Sequence, residues 1–265
     1  MHTARLLSLA AGVSPELAED PAALVTAAAD AGWAGVGTWF DPASWTDATT
    51  REVKRRLDDS GLVPVDVEAI RLGPDGDHGD AIVDAAAELG ASNVLAISSF
   101  DDPAQTADRL AQLCDRAEPT GVRVCLEFMR FTAVRNLADA LDVVSRAAHP
   151  SAGILIDLLH VARSGTTFDE IAAADPRLFP YVQWCDAPAE PAGWSTREII
   201  TDALDARSAP GEGGLDVMPF ERLFAPEVPF SMEVRSKALR DGFPDHTDRA
   251  AHLLAATRRA FEPGN

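Results

Sequence analysis

The chain has 265 residues, 46% of them hydrophobic and 25% charged, with 18 glycines and 18 prolines. This is the composition of an ordinary globular protein rather than a disordered one, and the length suits one large α/β domain or two small ones. The net charge of −19 disfavours polyanionic partners, so neither nucleic acid nor an anionic membrane is expected to bind.

Three cysteines, Cys114, Cys125 and Cys185, show no CxxC spacing. They form neither a disulfide framework nor a zinc ribbon, and a reducing cytoplasm is the simplest setting. The N-terminal "MHTARLLSLAAGVS" superficially resembles a signal peptide. Acidic, proline-bearing sequence follows at once without an A-x-A-like site, so it is read as leading into a first buried strand. No apolar run approaches the roughly 18 residues of a membrane span.

From the N-terminus, short apolar runs alternate with alanine-rich helical stretches. "RLLSLAA" precedes the helical "DPAALVTAAADAGW", and "GVGTWF" precedes "ATTREVKRRLDDSGL". "PVDVEAI", "NVLAISS" and "RVCLEFM" are each followed in the same way, by "GDAIVDAAAELGAS", "PAQTADRLAQLCDRAEPTG" and "NLADALDVVSRAAH". "GILIDLL", "YVQWCDA" and "PFSMEV" complete eight strands. Asp, Thr or Asn opens several helices and glycine closes several, as caps require. The polar residues at the strand ends are Ser8, Thr38, Glu68, Ser98, Glu127, Asp157, Gln183 and Glu233, at steps of 30, 30, 30, 29, 30, 26 and 50. Near-equal βα units predict a (β/α)8 TIM barrel occupying residues 1–265 as one domain. The rival doubly wound sheet normally carries a G-x-G-x-x-G loop after strand one, and "LAAGVSPEL" is not one.

In such a barrel the C-terminal strand ends form the active face. Glu68, Glu127, Asp157, Gln183 and Glu233 converge there. Four acids and an amide at one mouth repel and desolvate one another unless a cation binds among them. Oxygen ligation suits one Mn²⁺, Mg²⁺ or Co²⁺ ion, with Zn²⁺ less suited. Each residue also has a structural reading: Glu68 as the partner of Arg71, Gln183 bonded to a loop, and His160 as a satisfied rim residue.

The stretches "CLEFM", "ILIDLLHVARSG", "YVQWCDA", "APGEGGLD" and "FSMEVRS" resemble the xylose isomerase-like barrels over nearly the whole chain. That superfamily includes sugar phosphate isomerases and epimerases, inosose dehydratases and the endonuclease IV type of DNA repair enzyme. The resemblance implies one divalent metal held by Glu127, Asp157, Gln183 and Glu233, with Gln183 standing where the family usually has histidine. It implies that His160 contacts substrate oxygens. The repair branch needs a histidine-rich cluster, and six histidines with only His160 in a strand-end motif speak against it.

The expected chemistry is proton abstraction next to a carbonyl, through an enediolate, in an isomerase or epimerase. Glu127 and Glu233 are the catalytic pair and His160 assists. A dehydratase acting on an inosose or 3-keto-sugar is the alternative, and a non-catalytic sugar-binding barrel a third reading. Glu68, Arg163, Arg207, Arg235, Trp39 and Trp184 are candidate substrate contacts, with Phe40 a further aromatic. His160 and Asp186 would have to build any second metal site. Residues 207–216, "RSAPGEGGLD", are expected to form a lid turning on Gly211 and Gly213. The partner is a small sugar-like molecule, with assembly into a homo-oligomer left open.

Overall fold

The computed structural model describes residues 5–261. The first four residues, part of the N-terminal stretch considered above, and the last four lie outside them. Eight parallel strands close into a barrel in sequence order. They are β1 (Leu7–Leu9), β2 (Gly35–Trp39), β3 (Val63–Leu72), β4 (Asn93–Ser98), β5 (Arg123–Glu127), β6 (Ala152–Asp157), β7 (Val182–Trp184) and β8 (Phe230–Met232).

The five predicted helices are α1 (Pro21–Ala31), α2 (Asp47–Ser60), α3 (Gly79–Leu89), α4 (Pro103–Ala117) and α5 (Leu137–Ala147). Their starts are set locally. Asp20 and Asn136 accept from the amides of Ala23 and Asp139, and Thr46 closes a capping box with Thr49. Such a cap is worth about 1 kcal/mol.

The last third differs from the expectation. Six more helices occur there: α6 (Leu158–Ser164), α7 (Phe168–Ala173), α8 (Thr196–Asp205), α9 (Val217–Glu221), α10 (Lys237–Gly242) and α11 (His246–Ala260). The 50-residue step before Glu233 holds α8 and α9. The apolar run "GILIDLL" is not one strand: Asp157 ends β6 and caps α6, its Oδ1 accepting from the amides of Leu159 and His160 at 2.8 and 3.2 Å. His160 therefore stands on the first turn of a helix rather than on a strand exit.

Strand residues of one parity pack outward under the helices, among them Val36, Val67, Ile154, Ile156 and Trp184. A smaller apolar group, Val65, Leu95, Cys125, Leu155 and Tyr181, fills the barrel interior. Three of these lie two residues before Glu127, Asp157 and Gln183, so the apolar floor sits one layer below the polar mouth. Register shifts in β3, between Val36 and Gly37 of its neighbour β2 and between Val67 and Ile70, break the simple alternation there.

Candidate active site

A cavity of about 140 Å³ opens at the C-terminal strand ends. It is lined by Trp39, Glu68, Arg71, Glu127, His160, Gln183, Arg207, Glu233 and Arg235, with apolar walls from Leu95, Ile97, Met129, Phe131, Ala203 and Leu204. A space of this size is about what holds one six-membered ring.

Glu127, Asp157, Gln183 and Glu233 are all at most 6% exposed. Burial pushes the Glu127 carboxyl well above the usual range, and the Asp157 charge adds to it. Burial likewise raises Glu68, with Glu233 the next cause. Glu233 is raised by burial too, against the pull of Arg207 and Arg235. Asp157 is the exception. Burial works against its charge, but Arg207 and His160 hold its carboxyl below the usual value. The guanidinium of Arg207 donates through Nη1 to Asp157 Oδ2 at 2.6 Å and through Nε to the Ala203 carbonyl at 3.0 Å. Its Nη2 lies 3.5 Å from His160 Nε2. Burial, first, and the Arg207 charge keep His160 neutral, its pKa pushed down to about 4.

Do these residues suit a divalent cation? Ligand atoms of Glu127, Asp157 and His160 lie within 4.8 Å of one another. Glu233 Oε2, Glu68 Oε1 and the Gln183 amide nitrogen are buried with no hydrogen-bond partner. The amide's two ends exchange by a half-turn, which would bring its oxygen to the same place. Repelling, partly orphaned carboxylates with an imidazole within reach are what a bound cation relieves. The donor set fits. Gly12 completes it: its backbone hydrogen-bonds the Glu233 carboxylate, and a Cβ at position 12 would lie 2.3 Å from Glu233 Oε1.

Several expected contacts are not made. Trp184 alternates with Gln183 and so points out of the barrel, its Nε1 donating to the Val217 carbonyl and its ring packed on Phe230 and Phe261. Phe40 stacks on Trp45 at 4.6 Å, away from the cavity. Arg163 faces the other side of α6. It pairs with Asp202 at 2.7 Å and donates to the carbonyls of Pro188 and Ala189, fastening α8 and the segment before it. Asp186 is no second metal ligand. It lies outside the cluster of Glu127, Asp157 and His160 and outside the cavity lining, and its oxygens accept from backbone amides: Gly211 and Gly213 on Oδ2, Ala187 and Leu215 on Oδ1. Those bonds tie residues 207–216 down, so the expected lid is a fastened loop.

One charged cavity residue, besides the apolar walls, escaped the sequence reading as a substrate contact. Arg71, taken there as a partner for Glu68, makes no ion pair among the described residues and lines the cavity beside the exposed groove of Phe131. Strict alternation from Glu68 would face it elsewhere; the register shift in β3 turns it inward, and no residue-level signal announces that shift. Arg235 stands opposite, its guanidinium 5.8 Å from the Trp39 ring and its Nε buried without a partner.

The family model for xylose isomerase-like TIM barrels matches residues 25–226. Over 245 residues, 84% of the chain, the sequence is 29% identical to 3-dehydroshikimate dehydratase of Pseudomonas aeruginosa. It is 27% identical over 114 residues, 42% of the chain, to inosose isomerase of Bacillus subtilis. The matched chain spans 37% and 38% of those two proteins. Among solved structures, the IolI protein with a bound zinc atom superposes with a TM-score of 0.76 at 17% identity, covering 96% of this chain and 95% of that one. All of the described residues together contain no helix long and apolar enough to cross a membrane.

Proposed function

Because the chain belongs to the xylose isomerase-like TIM barrel family, we propose that it is a divalent-metal enzyme that removes the proton beside the carbonyl of a small, negatively charged hydroxyketone ring and expels water. The observation that carries this reading is the pairing of acids with unneutralised arginines around one ring-sized cavity. Arg207 is neutralised by Asp157, whereas Arg71 and the buried Nε of Arg235 have no such partner. Guanidinium groups of that kind suit a substrate carboxylate. Among the relatives, 3-dehydroshikimate carries a carboxylate and inosose does not, and the longer match is to the dehydratase.

Glu127, Asp157, Gln183 and Glu233 would hold a divalent cation, which would supply Lewis acidity to a carbonyl oxygen. The residues do the rest. Either Glu127 or Glu233, approaching from strands three apart around the barrel, takes the proton from the carbon beside the carbonyl. The C–H electron pair forms a C=C bond as the β C–O bond breaks. The carboxyl that took the proton gives it to the departing hydroxyl, and water leaves. His160, neutral, hydrogen-bonds a substrate oxygen without adding charge. Leu204, Phe131 and Met129 hold bulk water off the reacting face.

A second reading has its own support. Two acids flanking one cavity can return the proton to the opposite face, which is epimerisation, and the match to inosose isomerases favours it. Protein loaded with Mn²⁺, Mg²⁺ or Co²⁺ and given 3-dehydroshikimate and inososes separates the two. Loss of one water from the acid substrate supports the dehydratase. An unchanged mass with altered stereochemistry in the neutral ring supports the epimerase, and no product from either class sinks both.

A further inference from the structure

Two residues below the catalytic acids, the barrel interior carries a second polar layer that the chemistry above does not use. Asp66 precedes Glu68 on β3, Ser231 precedes Glu233 on β8, and Tyr181 precedes Gln183 at the start of β7, each by two positions. Ser8 on β1 pairs in register with Ser231. None of the four is exposed to any degree. The Ser8, Tyr181 and Ser231 hydroxyls and both oxygens of Asp66 are buried without a hydrogen-bond partner.

These residues stand on one arc of the wall. β7, β8, β1, β2 and β3 follow one another in the closed sheet. Between Ser8 and Asp66 the wall is glycine: a Cβ at Gly37 would lie 2.9 Å from Asp66 Oδ1, so its absence admits the carboxylate. The charge of Asp66 acts on the Tyr181 hydroxyl and on Glu68, and that of Glu233 acts on Asp66. The rest of the layer, Val65 beside Asp66 and then Leu95, Cys125 and Leu155 on β4, β5 and β6, is apolar and needs nothing.

Buried hydroxyls and carboxylates in folded proteins are hydrogen-bonded to protein or to ordered water. Three hydroxyls and a carboxylate, all buried inside one barrel and none with a hydrogen-bond partner, match bridging water, which both gives and takes hydrogen bonds. One carboxylate with neutral hydroxyls is too little charge for a second divalent ion. Directly above, Glu68 Oε1 and Glu233 Oε2 are orphaned as well. We propose that Asp66, Ser8, Tyr181 and Ser231 hold a buried water cluster beneath the cavity, and that through it Asp66 acts as a positioning residue for Glu233 and Glu68. The cluster sets the height and rotation of those carboxylates from below, as Gly12 does for Glu233 from the side.

The inference rests on the metal site proposed above but not on the reaction assigned to it, and the test needs no substrate. A crystal structure of the Mn²⁺-loaded protein is expected to show water about 2.8 Å from Asp66 and at least two of the hydroxyls. Asp66→Leu, which fills the space with apolar atoms, is expected to weaken Mn²⁺ binding by calorimetry about 10–100-fold, as loss of an outer-shell partner does. Asp66→Asn, which still bonds water, is expected to bind like the parent. Ser231→Val is the second drying variant, should Asp66→Leu fail to fold. A dry chamber, an alkali cation in place of water, undiminished Mn²⁺ affinity in a folded drying variant, or an equal loss in Asp66→Asn would each overturn the proposal.

Discussion

Arg207 Nη1 stands 2.6 Å from Asp157 Oδ2, and both side chains are almost fully buried. The residue that sequence spacing puts at the centre of a metal site is thus also half of an ion pair inside the protein. A buried pair broken on one side costs about 3–5 kcal/mol, because the remaining charge is left unpaired. Arg207→Met is expected to lower the stability of the chelator-treated protein by that amount. Added Mn²⁺ should recover part of it by supplying a cation to Asp157. Denaturant unfolding with and without metal checks this; equal stability of parent and variant would mean the pair is not formed in solution.

Gln183 faces inward and only 1% of it is exposed. An imidazole nitrogen is the better donor to borderline metals, so Gln183→His should tighten Zn²⁺ or Co²⁺ binding by about an order of magnitude. Titration calorimetry reads this directly. An unchanged affinity would place Gln183 outside the coordination sphere.

Arg71 tests the charge of the substrate. Losing a charge-assisted bond of about 1.5–3 kcal/mol corresponds to about a 10–100-fold change in binding. Arg71→Gln is therefore expected to raise KM for an acid ring by about that factor with kcat nearly kept, and to leave a neutral ring unaffected. Equal effects on both substrates would remove the anion subsite from the account.

Asp66 predicts a pH dependence. Burial, and then the Glu233 charge, push its pKa up to about 7 from an ordinary 3.8. Between those values the folded chain keeps a proton that the unfolded chain has released, so stability falls as pH rises from about 4 through 7. Below that window the group is protonated in both states and contributes nothing. In chelator, Asp66→Asn should thus melt higher than the parent at pH 8 and together with it below pH 4. Parallel melting curves across the range would show that Asp66 ionises freely.

The barrel was legible because the steps between strand ends are set by crossover length, and four of the five expected helices begin on caps readable in the sequence, Asp20, Thr46, Asp102 and Asn136. The acids Glu127, Asp157 and Glu233 were legible for a related reason: a carboxylate at the end of an apolar strand is costly without a purpose. What failed depended on direction or on partners far along the chain. Trp184 looked like a site residue because it adjoins Gln183, yet adjacent strand residues face opposite ways. Arg163 finds Asp202, and Asp186 finds the amides of Gly211 and Gly213, and none of those distances is written in local pattern. Arg71 was missed because the register shift in β3 reverses which residues face inward.

The central claim is that a carboxylate of this cavity takes a proton from the carbon beside a carbonyl. Incubation of the metal-loaded protein with 3-dehydroshikimate or an inosose in deuterium oxide, followed by NMR, measures that step whichever product forms. Deuterium should enter at that carbon, or the ring should lose water, and Glu127→Gln or Glu233→Gln should suppress the process by about 10²–10⁴-fold. Exchange that persists undiminished in both variants, or no exchange and no water loss in the loaded parent, would contradict the account.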